Sequence, residues 1–189
     1  MTTPDRGRPW PQDSDLARHC YACGDLNPIG LHLHFREDNG WWVADFVALK
    51  EHQGYPGYVH GGIVSTLLDE AMGWATYGNN VWALTGKLEL RLRGIVPTGE
   101  HLKVRGRIDR DRGRTLDVVA ELQDADGKLL AEARGVLFRA TGEQARLIAS
   151  AARAMRDAGE SSQAAPSTST ESPLPAGEGW GEGASAHPF

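Results

Sequence analysis

His60-Gly-Gly-Ile-Val-Ser-Thr-Leu-Leu-Asp69-Glu-Ala-Met-Gly73 decides how this chain folds. Stepping about 100° per residue from Val64, the side chains of Ile63, Leu67, Leu68, Ala71 and Ala75 gather in one apolar arc, which predicts a helix over about residues 61–77 with a buried stripe. The other face carries Gly62, Ser65, Asp69, Gly73 and Thr76, small residues around one carboxylate where a solvent face would carry Lys, Glu and Arg. Small side chains let another backbone, a ligand or a partner subunit come close. The alternative is a plain exposed face with one aspartate.

Outward from the helix the periodicity changes to two. Leu31, Leu33 and Phe35 alternate with His32, His34 and Arg36, and Trp42, Ala44 and Phe46 alternate with Val43, Asp45 and Val47, which predicts two strands joined by Asp38-Asn39-Gly40. After the helix, Leu88, Leu90 and Leu92 alternate with Lys87, Glu89, Arg91 and Arg93. Residues 102–108, 116–122 and 129–138 supply three more strands, separated by Asp111-Arg112-Gly113 and Asp126-Gly127. Six short strands of this kind predict an antiparallel sheet, and a single helix among them implies an α+β domain with the sheet wrapped around it.

The 189 residues carry 20 Lys+Arg and 25 Asp+Glu, a formal net charge of -5. Asp157, Glu160, Glu171, Glu178 and Glu182 are the only charged side chains from residue 157 onward, so the acidity belongs to the tail and the body is neutral. A neutral body argues against a nucleic-acid binder, which needs a basic footprint to displace counterions. No apolar run approaches the ~20 residues that span a bilayer. The opening MTTPDRGRPWPQDSD lacks the ~7 to 15 apolar residues of a signal peptide, so a soluble cytoplasmic protein is expected. Two cysteines make no disulfide scaffold, and in a reducing compartment no bridge is expected. The expected organisation is a flexible N-terminus at 1–17, one domain at 18–143, a short C-terminal helix at 144–156 and a disordered, low-complexity tail at 157–189 rich in Gly, Pro, Ser, Thr and Ala.

The turn-rich approach Tyr55-Pro-Gly-Tyr-Val-His60-Gly61-Gly62 leads into the helix. Unpaired N–H groups and the helix dipole point outward at such a terminus, which suits an oxygen that becomes negative during a reaction. Gly61 and Gly62 leave that N–H open to a substrate. Asp69 follows nine residues after His60, on the small-residue face.

Three segments together, Cys20-Tyr-Ala-Cys-Gly-Asp-Leu-Asn-Pro-Ile-Gly-Leu31, the His60–Gly73 stretch and Thr85-Gly-Lys-Leu-Glu-Leu90, resemble the hotdog-fold acyl-CoA thioesterases of the PaaI-like, phenylacetic acid degradation-type group over about residues 20–140. The resemblance implies a long central helix wrapped by a six-stranded antiparallel sheet, and a homodimer or dimer of dimers with sites between subunits. It implies hydrolysis of a fatty or aromatic acyl-CoA to free acid and CoA, with no metal or cofactor. Carried over residue by residue, the helix carboxylate falls on Asp69, the oxyanion-binding N–H on Gly61 and the water-holding threonine on Thr85, with Asp69 and Thr85 coming from opposite subunits. Asp69 is then general base or nucleophile. His60 orients the Gly61 peptide, or is a packing histidine in a turn. Gly62 and Asn27 border the substrate. Arg112, Gly113 and Arg114 form a turn whose guanidiniums grip the CoA phosphates, or a merely soluble turn compensated by Asp109 and Asp111.

Glu70 is the rival helix carboxylate, about 100° round from Asp69. Cys20 and Cys23 are read first as structural packing; half of a zinc site completed by His32 and His34, a redox pair or an acyl-chain contact are the alternatives. A hotdog module that binds an acyl ligand without turning it over is the second functional reading, and a dehydratase or hydratase of the same fold the third.

Overall fold

The computed structural model describes residues 18–144; residues 1–17 and 145–189, on which the expected flexible N-terminus, most of the expected C-terminal helix and the expected tail fall, lie outside the described residues. The elements are β1 (Arg36–Asp38), β2 (Trp41–Val47), a 3₁₀ turn at Lys50–His52, α1 (Gly61–Tyr77), β3 (Ala83–Leu92), β4 (His101–Asp111), β5 (Thr115–Gln123) and β6 (Leu129–Arg139). The six strands form one antiparallel sheet in the order β1-β2-β4-β5-β6-β3. With the one long helix among the described residues against it, this is the α+β hotdog architecture that the periodicities and the resemblance imply.

Local chemistry places the hairpins. Asn39 and Gly40 both have positive φ, 50° and 79°, and Asp38 pairs with Trp41. Two such residues are what a two-residue type I′ connection requires. The first strand is shorter than its alternation predicts. Leu31 and Leu33 are buried, but their N–H groups bond to the carbonyls of Tyr21 and Ala22, and His32 takes φ 53°. Residues 31–35 are thus held by the preceding loop and leave β1 only three residues.

The helix stripe packs on the sheet through Val64, Leu67, Leu68, Ala71, Met72 and Ala75, against Leu102, Val104, Leu116, Val118, Ala120, Leu122 and Leu137. Helix and sheet touch backbone to backbone at Gly106, where an added Cβ would lie 2.2 Å from the Ala71 carbonyl oxygen. Thr76 departs from the expected small-residue face: it is buried, and its hydroxyl donates to the Gly73 carbonyl at 2.9 Å. That bond lets a polar residue enter the stripe.

β3 is an edge strand, and Leu84, Leu88, Leu90 and Leu92 on it are exposed. Its pairing with β6 is interrupted at Gly86: Thr85 pairs with Leu137, whereas Lys87 pairs with Val136. The extra residue inverts the alternation. Thr85 therefore shares a sheet face with Leu88, Leu90 and Leu92, whose partners Gly135, Ala133 and Ala131 lie in register with buried Leu137.

Candidate active site

Asp69 lies in the middle of α1, partly buried, and the Thr85 hydroxyl donates to its Oδ1 at 2.9 Å. Both residues belong to the same chain, which corrects the expectation that they come from opposite subunits. The reason is the irregularity at Gly86: with strict alternation Thr85 would share the outer face with Lys87 and Glu89.

At the head of α1, His60 is the N-cap residue and its Nδ1 accepts from the Gly62 N–H at 2.9 Å. As an acceptor, Nδ1 takes the place of the helical carbonyl that the first turn lacks. The bond occupies Gly62. The Gly61 N–H, by contrast, has no acceptor among the described residues. His60 therefore shapes the terminus at which Gly61 is exposed. Replacing His60 by alanine is expected to lower stability by about 1 kcal/mol and replacement by asparagine, which also caps, to restore most of it, as read by urea unfolding.

The other expected site residues divide. Both polar ends of the Asn27 amide are committed to its own loop: Nδ2 donates to the His19 carbonyl, and Oδ1 accepts from the Ile29 N–H. Asn27 builds the turn. In the β4–β5 turn Arg112 is paired with Asp117 and the Gly113 N–H donates to Asp111. Arg139, which sequence reading did not single out, donates to both Asp111 and the Gly113 carbonyl. Of the three expected phosphate contacts, Arg114 alone has a side chain with no partner among the described residues. Thr115 pairs with Phe138 and Phe138 with Leu84, so the turn lies two strands across the sheet from the Thr85 end of β3, roughly 10 Å at the usual strand spacing.

Glu70 does not join Asp69. It faces Cys20 and Cys23, and its Oε1 accepts from the Trp74 indole N–H at 3.1 Å. Trp74 in turn stacks on Phe35 and meets Trp42 and Tyr77, so the tryptophans at 42 and 74 belong to one aromatic cluster. Burial pushes the Glu70 carboxyl up to about 7, and the nearby Cys20 and Asp69 act the same way, against the bonds from Cys23 and Trp74. The two thiols move in opposite directions. Cys20, accepting from Cys23 and from backbone N–H groups of residues 22–24, is held at about 5, while Cys23 is raised because it donates that bond and is buried beside Glu70. They share a proton, so the titration belongs to the pair.

A carboxyl whose folded value exceeds its unfolded one binds its proton more tightly in the folded state, so stability falls as pH rises between the two values. In reduced, chelator-treated protein Glu70 therefore contributes a decline of up to about 3 kcal/mol between about pH 4.5 and 7, while Cys20, held at about 5, contributes the opposite slope from about pH 5 upward. Glu70→Gln is expected to remove the falling part, so that unfolding free energy in urea titrations rises more from about pH 5 to about pH 8 in the variant than in the unaltered chain.

The family model of the thioesterase superfamily matches residues 56–131, which run from the turn before His60 to the start of β6. The acyl-coenzyme A thioesterase THEM4 of Mus musculus is 31% identical over 86 residues, 46% of this chain and 37% of that protein. The chain thus spans well under half the length of this curated relative. A crystal structure of a thioesterase superfamily protein superposes with a TM-score of 0.61 and 27% identity, covering 64% of this chain and 63% of that one. The PaaI protein of E. coli, from the phenylacetic acid degradation operon, superposes with a TM-score of 0.54 and 19% identity over 58% of this chain and 84% of its own, a likeness of fold.

Proposed function

We propose that this chain, a member of the thioesterase superfamily through its residues 56–131, is an acyl-CoA thioesterase that releases free acid and CoA. The observation that carries the reading is the Asp69–Thr85 contact. One carboxylate oxygen accepts from Thr85 and the other stays available to a water or to a carbonyl carbon. The Gly61 N–H polarises the thioester carbonyl, and Asp69 acts as general base on water or as nucleophile on carbon. Water adds as the C–S bond breaks, and the CoA thiol leaves with the proton.

A second copy of the chain completes the site. Gly61 and Asp69 are eight residues apart on α1, about 12 Å along its axis, whereas an oxyanion donor works at about 3 Å. Asp69 and Thr85 of one copy therefore act with Gly61 of the other, in a homodimer or a dimer of dimers. The open side of α1 at Gly73 and the exposed leucines of β3 are the surfaces that suit such pairing. At the CoA end Arg114 takes a phosphate, on a turn braced by Arg112, Asp111 and Arg139.

Among the described residues no helix is long and apolar enough to cross a membrane. The test is a panel of short, long and aromatic acyl-CoA esters assayed with a thiol reagent. Release of CoA from at least one class is expected; saturable binding of the esters with no thiol release establishes the non-catalytic acyl-ligand module instead.

A further inference from the structure

We propose that Cys20, Cys23 and Glu70 form a binding site for a zinc-class divalent cation, which ties the N-terminal loop to the central helix. The two Sγ atoms and a Glu70 carboxylate oxygen all lie within 4.8 Å of one another. Two thiolates at about 2.3 Å from one tetrahedral zinc stand roughly 3.8 Å apart, so only small side-chain shifts separate the cluster from ligation.

Three features set this cluster apart from a chance meeting of polar groups. The first is the turn. The Gly24 N–H bonds to the Cys20 carbonyl at 3.0 Å, and an added Cβ at Gly24 would lie 2.4 to 2.6 Å from the Arg18 and Cys20 backbone, so a side chain there would break the loop that aims both sulfurs the same way. The second is charge. Glu70 is an acid within the protein body, yet none of the ion pairs among the described residues includes it. A half-buried carboxylate facing two sulfurs, with no ion-pair partner among the described residues, is relieved by a proton or by a cation, and the two thiols beside it favour a thiophilic cation. The third is the surrounding shell. The Trp74 indole donates to Glu70 Oε1 and is itself packed between Phe35, Trp42 and Tyr77, which orients the carboxylate as outer partners orient metal ligands.

The donor set selects the ion. Two thiolates with one carboxylate oxygen favour zinc and its neighbours over the oxygen-seeking magnesium and calcium. Three protein ligands leave a fourth position to water. On binding, the thiol protons pass to solvent and two S–metal bonds form, with no change of oxidation state. His32 and His34 take no part: the His32 Nδ1 is bonded to the Gly24 carbonyl at 2.9 Å, and neither ring belongs to the cluster.

The experiment uses the full chain, reduced, stripped with a chelator, desalted without oxygen and titrated with Co²⁺ as spectroscopic probe. One equivalent is expected to give thiolate-to-cobalt charge-transfer absorption with the intense visible bands of a tetrahedral ion, and Zn²⁺ to bleach them. Glu70→Gln is expected to weaken cobalt binding by about tenfold or more, and the Cys20→Ser, Cys23→Ser double variant to abolish the bands. If the double variant fails to fold, the unaltered chain still decides: Zn²⁺ should slow alkylation of Cys20 and Cys23 at least tenfold, read by mass spectrometry. Absence of both bands and protection, or bands that survive in a folded double variant, overturns the proposal. These readouts do not involve turnover, so they stand apart from the thioesterase reading.

Discussion

Asp69→Asn is expected to lower acyl-CoA turnover by at least 10²- to 10⁴-fold while the protein stays folded. Asparagine has nearly the same shape, and its side-chain oxygen still accepts from Thr85, so the helix and β3 keep their contact. What disappears is a group able to take a proton from water or to attack carbon. CoA release by a thiol reagent, with thermal unfolding run in parallel, reads the two effects separately. Unchanged turnover in a folded Asp69→Asn protein would eliminate the assignment. Single turnover in ¹⁸O-labelled water bears on the two roles: label in Asp69 establishes it as the nucleophile, through an anhydride opened at the aspartyl carbon, whereas label only in the released acid fits the base or an anhydride opened at the acyl carbon, which trapping with hydroxylamine then separates.

The second large effect belongs to the edge strand. Leu88→Lys together with Leu90→Lys is expected to give a monomer in light scattering, and turnover is expected to fall by about 10²- to 10³-fold, the usual loss when an oxyanion donor is removed. Both leucines are 36% exposed in the single chain and neither belongs to its buried core cluster, and circular dichroism run in parallel reads whether the variant stays folded. The loss follows from distance, because the carboxylate and the Gly61 N–H that act on one carbonyl then sit on separate molecules. A monomeric variant with full activity would return the entire site to one chain.

The helix and the turns were legible because they are local. Residues 61–77 carry a 3.6-residue periodicity broken only by Thr76, and Asn39-Gly40 is one of the few dipeptides that a type I′ turn favours. The first strand was over-read because alternation reports burial and says nothing of which backbone takes the hydrogen bonds; Leu31 and Leu33 are buried as the pattern implies, yet paired to a loop. Asn27, Arg112 and Gly113 looked available for a ligand because their partners, the His19 and Ile29 backbones, Asp117 and Asp111, were not assigned to them. Glu70 meeting Cys20 and Cys23 is a contact across some fifty residues of chain, beyond any local pattern. CxxC spacing by itself allows a metal, but its third member stands on the central helix, one position from Asp69, where no spacing rule connects it to the cysteines.

The pairing of Thr85 with the helix depends on a count of one. Deleting Gly86 would leave every strand, the helix and the core recognisable, yet would rotate the threonine hydroxyl to the far side of the sheet and leave the Asp69 carboxylate to face solvent alone. Two proteins of this architecture, indistinguishable in outline, can therefore differ in whether the acid is held for work, and strand parity in this short stretch is what tells them apart.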